Sequence, residues 1–561
     1  MPNASSIPPP AATAGVIPRV RVRDPDFWLE VVCWTVVAFC TLQILLFSFG
    51  RDQSIYAMVA QGILDGQMPY RDVWDFKPPG IFLVYALAHG LFGTNMLAPR
   101  LLEVAGLVGM VFAFRRLGDT FCEEPRAGLV GGTVAALLHT ELEFWHTGQP
   151  ESFGAFLIAY ALVLATGDWG KRGRWFAWAG LGVLFGCAFV LKPTLGGGAV
   201  VCAAYLARRE LQRTERWRAA LLPVAVAAGA SLLPIVACAG WFLLTGAWDA
   251  LAWSLFEFAP GYTQLGWGYF SAPQAYYYGL LEAFFRFSAL AAFGLIAAIT
   301  MRPLHSRERE GMLLVLGVIA VNVAGIAMQQ KYFQYHYGAT LPLIGWLAGL
   351  GLYKLWRRSI GSGVGGVVVF AAFVAIAVAM RDAVRDLPQP FWYRCAVRMQ
   401  FLFGRGQARA REALDRELYH VADFVLDADR QVATEIRSVT APDAPVYVWG
   451  FEPAIYWLSG RRPASRYIYN VPQRAPWERD RARAELLADL RAKPPALVAV
   501  QTGDVFPKVT GDYLDSRSAL WQFPELSDLL SEQYRHVSEV SGFDLYERLA
   551  DRPRRQADAK R

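Results

Sequence analysis

A chain of 561 residues with 54% hydrophobic and 18% charged content is not a row of ordinary soluble domains, although its length alone would allow several. The net charge of +7 falls in discrete clusters between apolar runs, which is the signature of membrane loops and argues against a nucleic-acid partner. The seven cysteines lie mostly inside apolar runs without CxxC spacing, so they read as small buried hydrophobes and exclude a disulfide-stapled framework.

Residues 1–26 form a Pro/Ala-rich tail with Arg19, Arg21 and Arg23, too polar for the apolar core of a cleaved signal. The apolar run that follows reads as an uncleaved signal anchor. Spans need about 20 apolar residues, and about eleven are read: 27–49, 98–117, 126–145, 150–167, 174–191, 195–208, 218–245, 275–301, 310–328, 337–356 and 362–380. Between the first two lies a polar stretch, 49–80, with four Asp, two Arg and one Lys. Lipid-exposed irregular backbone is not tolerated in a bilayer, so this stretch sits at or above the interface. Residues 81–93, IFLVYALAHGLFG, are apolar but reach only about 20 Å as a helix, short of a ~30 Å hydrocarbon core. They are expected to lie along the interface or re-enter.

With that choice the basic clusters at 19–23, 115–116, 171–174, 208–218, 302–309 and 354–358 fall on one side. The positive-inside rule makes that side cytoplasmic. The N-terminus is then inside, while loop 49–97 and residues 381–561 are outside. Residues 27–380 read as one transmembrane body. Beyond it charges become frequent: 406–438 has helical periodicity, VYVWGF, SRYIYN and ALVAVQ read as strands, EPAIYWLSG and ERDRARAELLADLRA as helices, and YRHVSEVSGFDLYER as a strand pair. This alternation predicts a soluble α/β domain with a partly parallel sheet. No GxGxxG or P-loop follows a strand, so nucleotide binding has no support.

The topology gathers chemistry-bearing residues on the outer face: Arg51, Asp52, Asp65, Asp72, Asp75 and Lys77 in the first loop, His146 and Glu151 in the HTGQPES turn, Lys192 in LKPTLGGG, an aromatic loop over 246–275, and Lys331 and His336 in QQKYFQYHYGATLPL. A carboxylate can deprotonate an acceptor hydroxyl, and lysines with a histidine can neutralise a departing phosphate. The blander readings are a capping or solvated Asp52 and a generic aromatic belt. Lys192 is sharper, because a lysine between two short apolar runs costs several kcal/mol unless it lines a wet cavity or snorkels.

The Asp52–Tyr56–Ala57 start followed by LDGQMPYRDVWDFKPPG resembles the first external loop of GT-C membrane glycosyltransferases. The likeness is to the bacterial branch related to protein O-mannosyltransferases and lipid A aminoarabinose transferase. It continues through LFGTNMLAPR, QPESF, LKPTLGGG, KYFQYHYGATLPL and VYVWGFEPAIYWLSGRRPASRY. The resemblance implies a GT-C-like helical body with interfacial helices in the first loop, using a polyprenyl-phosphate-linked sugar donor and an extracytoplasmic acceptor (lipid, envelope glycan or protein). It further implies Asp52 as catalytic base, Glu151 as second acidic residue, and Lys77, Lys192, Lys331 and His336 facing the donor phosphate. Tyr56, Tyr70, Trp74, Asp75 and Tyr335 are expected in the substrate pocket. No metal ligand set is read, although a divalent cation is compatible with the carboxylates. Gln53 departs from the Asp-Glu pair of many protein O-mannosyltransferases. The rival readings are a transporter or flippase of a lipid-linked or anionic substrate, and a non-catalytic scaffold.

Overall fold

The computed structural model describes residues 24–285, 289–379, 387–404 and 410–549. Most of the expected N-terminal tail, the 380/381 boundary and the start of the 406–438 segment lie outside the described residues.

Helix α1 (Pro25–Leu45) begins where the Asp24 carboxylate accepts the Asp26 N–H at 3.0 Å, with Pro25 at its first position. The first loop then folds into α2 (Arg51–Leu64) and the 13-residue α3 (Gly80–Phe92). The body continues with α4 (Leu97–Cys122), α5 (Pro125–Thr140), the single turn α6 (Glu143–His146), α7 (Pro150–Thr166), α8 (Lys171–Leu191), α9 (Gly198–Thr214) and α10 (Trp217–Leu244). The aromatic loop forms the short α11 (Trp248–Ala252), a π-helical turn over Trp253–Phe258 and α12 (Ala259–Gln264). Then come α13 (Ala272–Phe285), α14 (Ala289–Thr300), α15 (Glu308–Gln329), α16 (Leu341–Gly361) and α17 (Gly363–Ala379). Among the described residues, α1, α4, α8, α10 and α15 are long and apolar enough to cross a membrane. Among the described residues, the helices that cover the other stretches read as spans are shorter or more polar, with 275–301 represented by α13 and α14.

The tightest part of the body is α16 packed between α5 and α14. Small residues let these backbones approach. A Cβ on Gly349 would lie 2.1 Å from Gly131 Cα, and one on Gly351 1.8 Å from the Gly294 carbonyl oxygen. Gly349→Val is therefore expected to lower unfolding stability by about 1–3 kcal/mol through overpacking. Gly365→Val on α17, with no atom within 4 Å of the added Cβ, should leave thermal unfolding in detergent unchanged.

The C-terminal part opens with α18 (Phe391–Phe403), which the sequence reading missed. Its Arg398 donates to Glu143 Oε1 at 2.9 Å and also pairs with Oε2, both partners being buried. The segment with helical periodicity over 406–438 divides, within the described residues, at a short hairpin. Helix α19 (Arg411–Leu418) leads to β1 (His420–Val421) and β2 (Phe424–Val425), then to α20 (Leu426–Val439), and Ala422 takes a positive φ of 51° at the turn.

The main sheet runs in the order β3-β4-β6-β5, with β3 (Val446–Trp449) parallel to β4 (Leu497–Gln501) and β5 (Tyr534–Val540) and β6 (Phe543–Arg548) closing as an antiparallel hairpin. Helices α21 (Ala454–Ser459), α22 (Val471–Arg474) and α23 (Arg479–Ala492) fall in the β3–β4 crossover. SRYIYN is not a strand. Its hydrogen-bonding capacity is turned onto the first loop instead: Trp74 N–H donates to the Arg466 carbonyl at 2.8 Å, and Tyr469 OH donates to Asp75 Oδ1 at 2.6 Å. The C-terminal part is thereby stitched to the first loop of the helical body.

Candidate active site

The site is built on the start of α2. Gly50 precedes it, and the Gly50 N–H donates to Gln53 Oε1 at 3.0 Å. The Gln53 amide then donates to the carbonyls of Phe144 (3.0 Å) and Thr147 (2.6 Å). A glutamate could accept the first bond but donate neither of the others, which accounts for glutamine beside Asp52. The same turn is braced by buried Arg100, whose guanidinium bonds Glu103, Thr147 and the carbonyls of Ser48 and Phe144. Gly148, with φ +67°, passes so close to Arg100 that a Cβ would sit 2.8 Å from Nη1.

Asp52 thus projects from the first turn of α2 beside the 146–151 turn. Its Oδ2 accepts from Lys77 Nζ at 2.7 Å and from Gln149 Nε2 at 3.2 Å. Lys77 Nζ also donates to Tyr56 OH at 2.6 Å, and Tyr56 OH donates to Gln149 Oε1 at 2.7 Å. Across the site Lys192 Nζ bonds Glu151 Oε1 at 2.6 Å. The Tyr335 ring lies between the two lysines, its centroid 5.5 Å from Lys77 Nζ and 5.9 Å from Lys192 Nζ. His336 is buried beside them. Desolvation first, then the Lys192 and Lys77 charges, hold its imidazole well below its ordinary range, so it is neutral at pH 7. Burial pushes the Asp75 carboxyl up, opposed by Lys77 and the Tyr469 bond.

These groups face a cavity of about 1860 Å³. Asp52, Asp75, Lys77, Glu151, Lys192, Lys331, Tyr335 and His336 all line it. One wall is apolar, with Phe189, Ile235, Leu251, Leu255 and Phe256. The π-helical turn, a form frequent at functional sites, supplies Leu255 and Phe256 to that wall.

Three expected pocket residues stand behind the wall rather than on it. Tyr56 is fully buried beneath the Lys77–Asp52 pair. Tyr70, at φ +69°, donates to the Lys77 carbonyl at 2.7 Å and so shapes the Lys-Pro-Pro turn. Trp74 is fully buried, its indole N–H on Ser254 Oγ at 3.1 Å. Among the other aromatics of the first loop and of the segment that follows α10, Phe76, Trp267 and Tyr278 line the cavity, whereas Tyr276 and Tyr277 do not. Sequence reasoning missed Gln149, although it lies in the quoted QPESF turn, and also Tyr262 and Lys508. Lys508 carries no local motif, and only the fold brings it to the cavity.

Among the described residues no group of three or more His, Cys, Asp or Glu is placed to hold a metal ion. Asp52 and Glu151 are each already paired with a lysine. That arrangement fits an incoming anion, which can take over the ammonium groups, better than it fits a cation.

The family model described as dolichyl-phosphate-mannose-protein mannosyltransferase matches residues 76–256. That segment contains Lys77, Glu151 and Lys192 but not Asp52, Lys331 or His336. Among solved structures the chain is similar to ArnT from Cupriavidus metallidurans in the apo state, with 15% identity and a TM-score of 0.56, covering 93% of this chain and 97% of that one. It is also similar to ArnT from the same organism bound to undecaprenyl phosphate, with 14% identity and a TM-score of 0.51, covering 94% and 99%. No curated protein matches the sequence. The fold is therefore that of the GT-C membrane glycosyltransferases, and the chain resembles ArnT and the protein mannosyltransferases within that class.

Proposed function

We propose that the chain transfers a sugar from a polyprenyl-phosphate-linked donor to a hydroxyl acceptor at the outer face of a bacterial inner membrane. In this reading the body crosses the membrane about eleven times, with the N-terminus cytoplasmic and the C-terminal part outside. The observation that carries the reading is the pair of carboxylate–lysine bridges, Asp52–Lys77 and Glu151–Lys192, whose lysines both contact the Tyr335 ring (5.5 and 5.9 Å from its centroid) in the lining of one cavity that also has apolar side chains.

The chemistry follows from those bridges. The donor phosphate draws Lys77 and Lys192 away from their carboxylates, since a doubly contacted phosphate is the stronger partner. Asp52 is then free to accept the proton of the acceptor hydroxyl as its oxygen attacks the anomeric carbon. The bond from that carbon to the phosphate oxygen breaks, and polyprenyl phosphate leaves with the electron pair. Direct displacement of this kind inverts the anomeric centre. Lys77, Lys192 and Lys331 stabilise the charge that accumulates on the phosphate. Neutral His336 contributes a hydrogen bond rather than a charge. Glu151 holds Lys192 until the donor arrives and afterwards orients the acceptor. The sugar and the acceptor class, whether lipid, envelope glycan or protein, are decided by groups beyond this core.

Binding of undecaprenyl phosphate to the purified chain tests the donor half of this reading through its pH profile. Burial, with a smaller contribution from the neighbouring Lys508 charge, lowers the Lys331 ammonium to about 8. A base with a lowered pKa keeps its charge below that value and loses it as pH rises through it. The phosphate monoester gains its second charge at a pKa of about 6. Affinity should therefore rise through pH 6 and begin to fall at about pH 8. In Lys331→Gln the fall should be absent. A wild-type affinity flat from pH 7 to pH 9 would remove Lys331 from the phosphate site.

A further inference from the structure

Two cavity lysines differ from the bridged pair. Lys331 and Lys508 have no carboxylate within salt-bridge distance among the described residues, whereas Lys77 and Lys192 each have one. Lys331 is only 6% exposed. Its Nζ donates to the Lys508 carbonyl at 2.7 Å and lies 4.3 Å from the centroid of the Tyr262 ring. One N–H of the ammonium is thus fixed, which aims the remaining two, while His336 lies near enough to feel its charge.

Lys508 arrives from the C-terminal part, on the turn Pro507–Thr510 that follows the carboxyl end of β4. Crevices beyond the carboxyl ends of parallel strands are where α/β sheets bind ligands, and here the ends of both β3 and β4 open onto the cavity through Phe451 and Phe506. The turn is firmly mounted. The Phe506 ring meets Phe451 at 5.5 Å, and the Arg51 guanidinium lies 4.5 Å from the Phe506 centroid. Lys331 is buried against the Lys508 carbonyl, and the exposed Lys508 side chain lines the same cavity with its charge near enough to oppose that of Lys331. An anion that joins the two relieves that repulsion.

We propose that Lys331 and Lys508 form an anion subsite for a phosphate group, assembled where the C-terminal sheet meets the turn before α16. The subsite rests on the glycosyltransferase reading for the source of its ligand, which is either the donor phosphate or a phosphate carried by the acceptor. It gives the C-terminal part a direct share in substrate binding.

The test uses the full chain in lipid nanodiscs. Undecaprenyl phosphate is titrated first; inorganic phosphate is then titrated onto the undecaprenyl-phosphate-saturated protein. Wild type is compared with Lys508→Ala, Lys508→Arg and Lys331→Gln. If the donor phosphate occupies the subsite, Lys508→Ala weakens undecaprenyl phosphate about 3–10-fold and Lys331→Gln about 10–100-fold. If an acceptor phosphate does, both variants keep undecaprenyl phosphate affinity and lose the inorganic phosphate site. Lys508→Arg retains most of either affinity, which separates charge from packing. Unchanged affinities for both probes in Lys508→Ala and Lys331→Gln overturn the subsite. Undecaprenyl phosphate binding that still depends on Lys192 would leave the glycosyltransferase reading standing in that case. Wild-type protein that binds inorganic phosphate through Lys508 but not undecaprenyl phosphate would sustain the subsite and overturn the donor assignment.

Discussion

Asp52→Asn is expected to lower sugar transfer by roughly 10²–10⁴-fold, the usual contribution of a positioned general base, while undecaprenyl phosphate still binds. Asparagine keeps the shape of the side chain and can still accept from Lys77 and Gln149, as Oδ2 does at 2.7 and 3.2 Å. It cannot take a proton from the acceptor. The substitution also removes the negative charge that holds Lys77 in the resting state, so donor affinity should stay level or rise slightly. A fall in kcat with unchanged or tighter donor binding is the pattern of a residue needed in the transition state. A fall in donor affinity with unchanged kcat would make Asp52 a structural partner of Lys77 and nothing more.

Lys192→Ala is expected to be more damaging than the loss of one phosphate contact. Its partner Glu151 has a side chain only 2% exposed, and removing one member of a buried pair typically costs about 3–5 kcal/mol because a charge is left stranded. The charge-assisted contact to phosphate adds about 1.5–3 kcal/mol to the functional loss, or ~10–150-fold. The single variant should therefore both unfold at lower temperature and bind the donor poorly. The double variant Glu151→Gln/Lys192→Gln separates the two effects. Amide–amide pairing should restore most of the thermal stability, while undecaprenyl phosphate affinity remains ~10–150-fold weaker. Wild-type affinity in the stable double variant would remove Lys192 from the donor site.

What the sequence made legible follows from how locally each feature is encoded. The polar first loop could be read because a run with Asp52, Asp75 and Lys77 interrupts apolar sequence where lipid would not tolerate it. Lys192 stood out for the same reason. The pairing of Lys77 with Asp52 and of Lys192 with Glu151 was not legible. Each pair joins residues from different elements, and only the packing of the helical body decides which acid meets which base. Tyr70 and Trp74 were misplaced because an aromatic in a loop looks the same whether it faces a substrate or supports the turn that does. Here both are consumed by internal hydrogen bonds.

The misreading of SRYIYN has a related cause. Its alternation satisfies the period of a strand, but Trp74 and Asp75 of the first loop take its bonding groups, so it pairs with another part of the chain rather than with the sheet. In 406–438 the helical period is real on either side of the hairpin. The break at Val421–Phe424 contains no Gly or Pro to announce it. Lys508 was invisible for the opposite reason: nothing in its neighbourhood is unusual until the carboxyl end of β4 is set against the membrane body.

The central claim is that Asp52 drives discharge of a lipid-linked sugar. It is tested most directly by following a radiolabelled sugar on undecaprenyl phosphate, incubated with bacterial envelope fractions and either the wild-type chain or Asp52→Asn. Label should leave the lipid pool with the wild-type chain, free undecaprenyl phosphate should accumulate in equal amount, and the label should remain on the lipid with Asp52→Asn. Discharge at the same rate by both proteins would contradict the account.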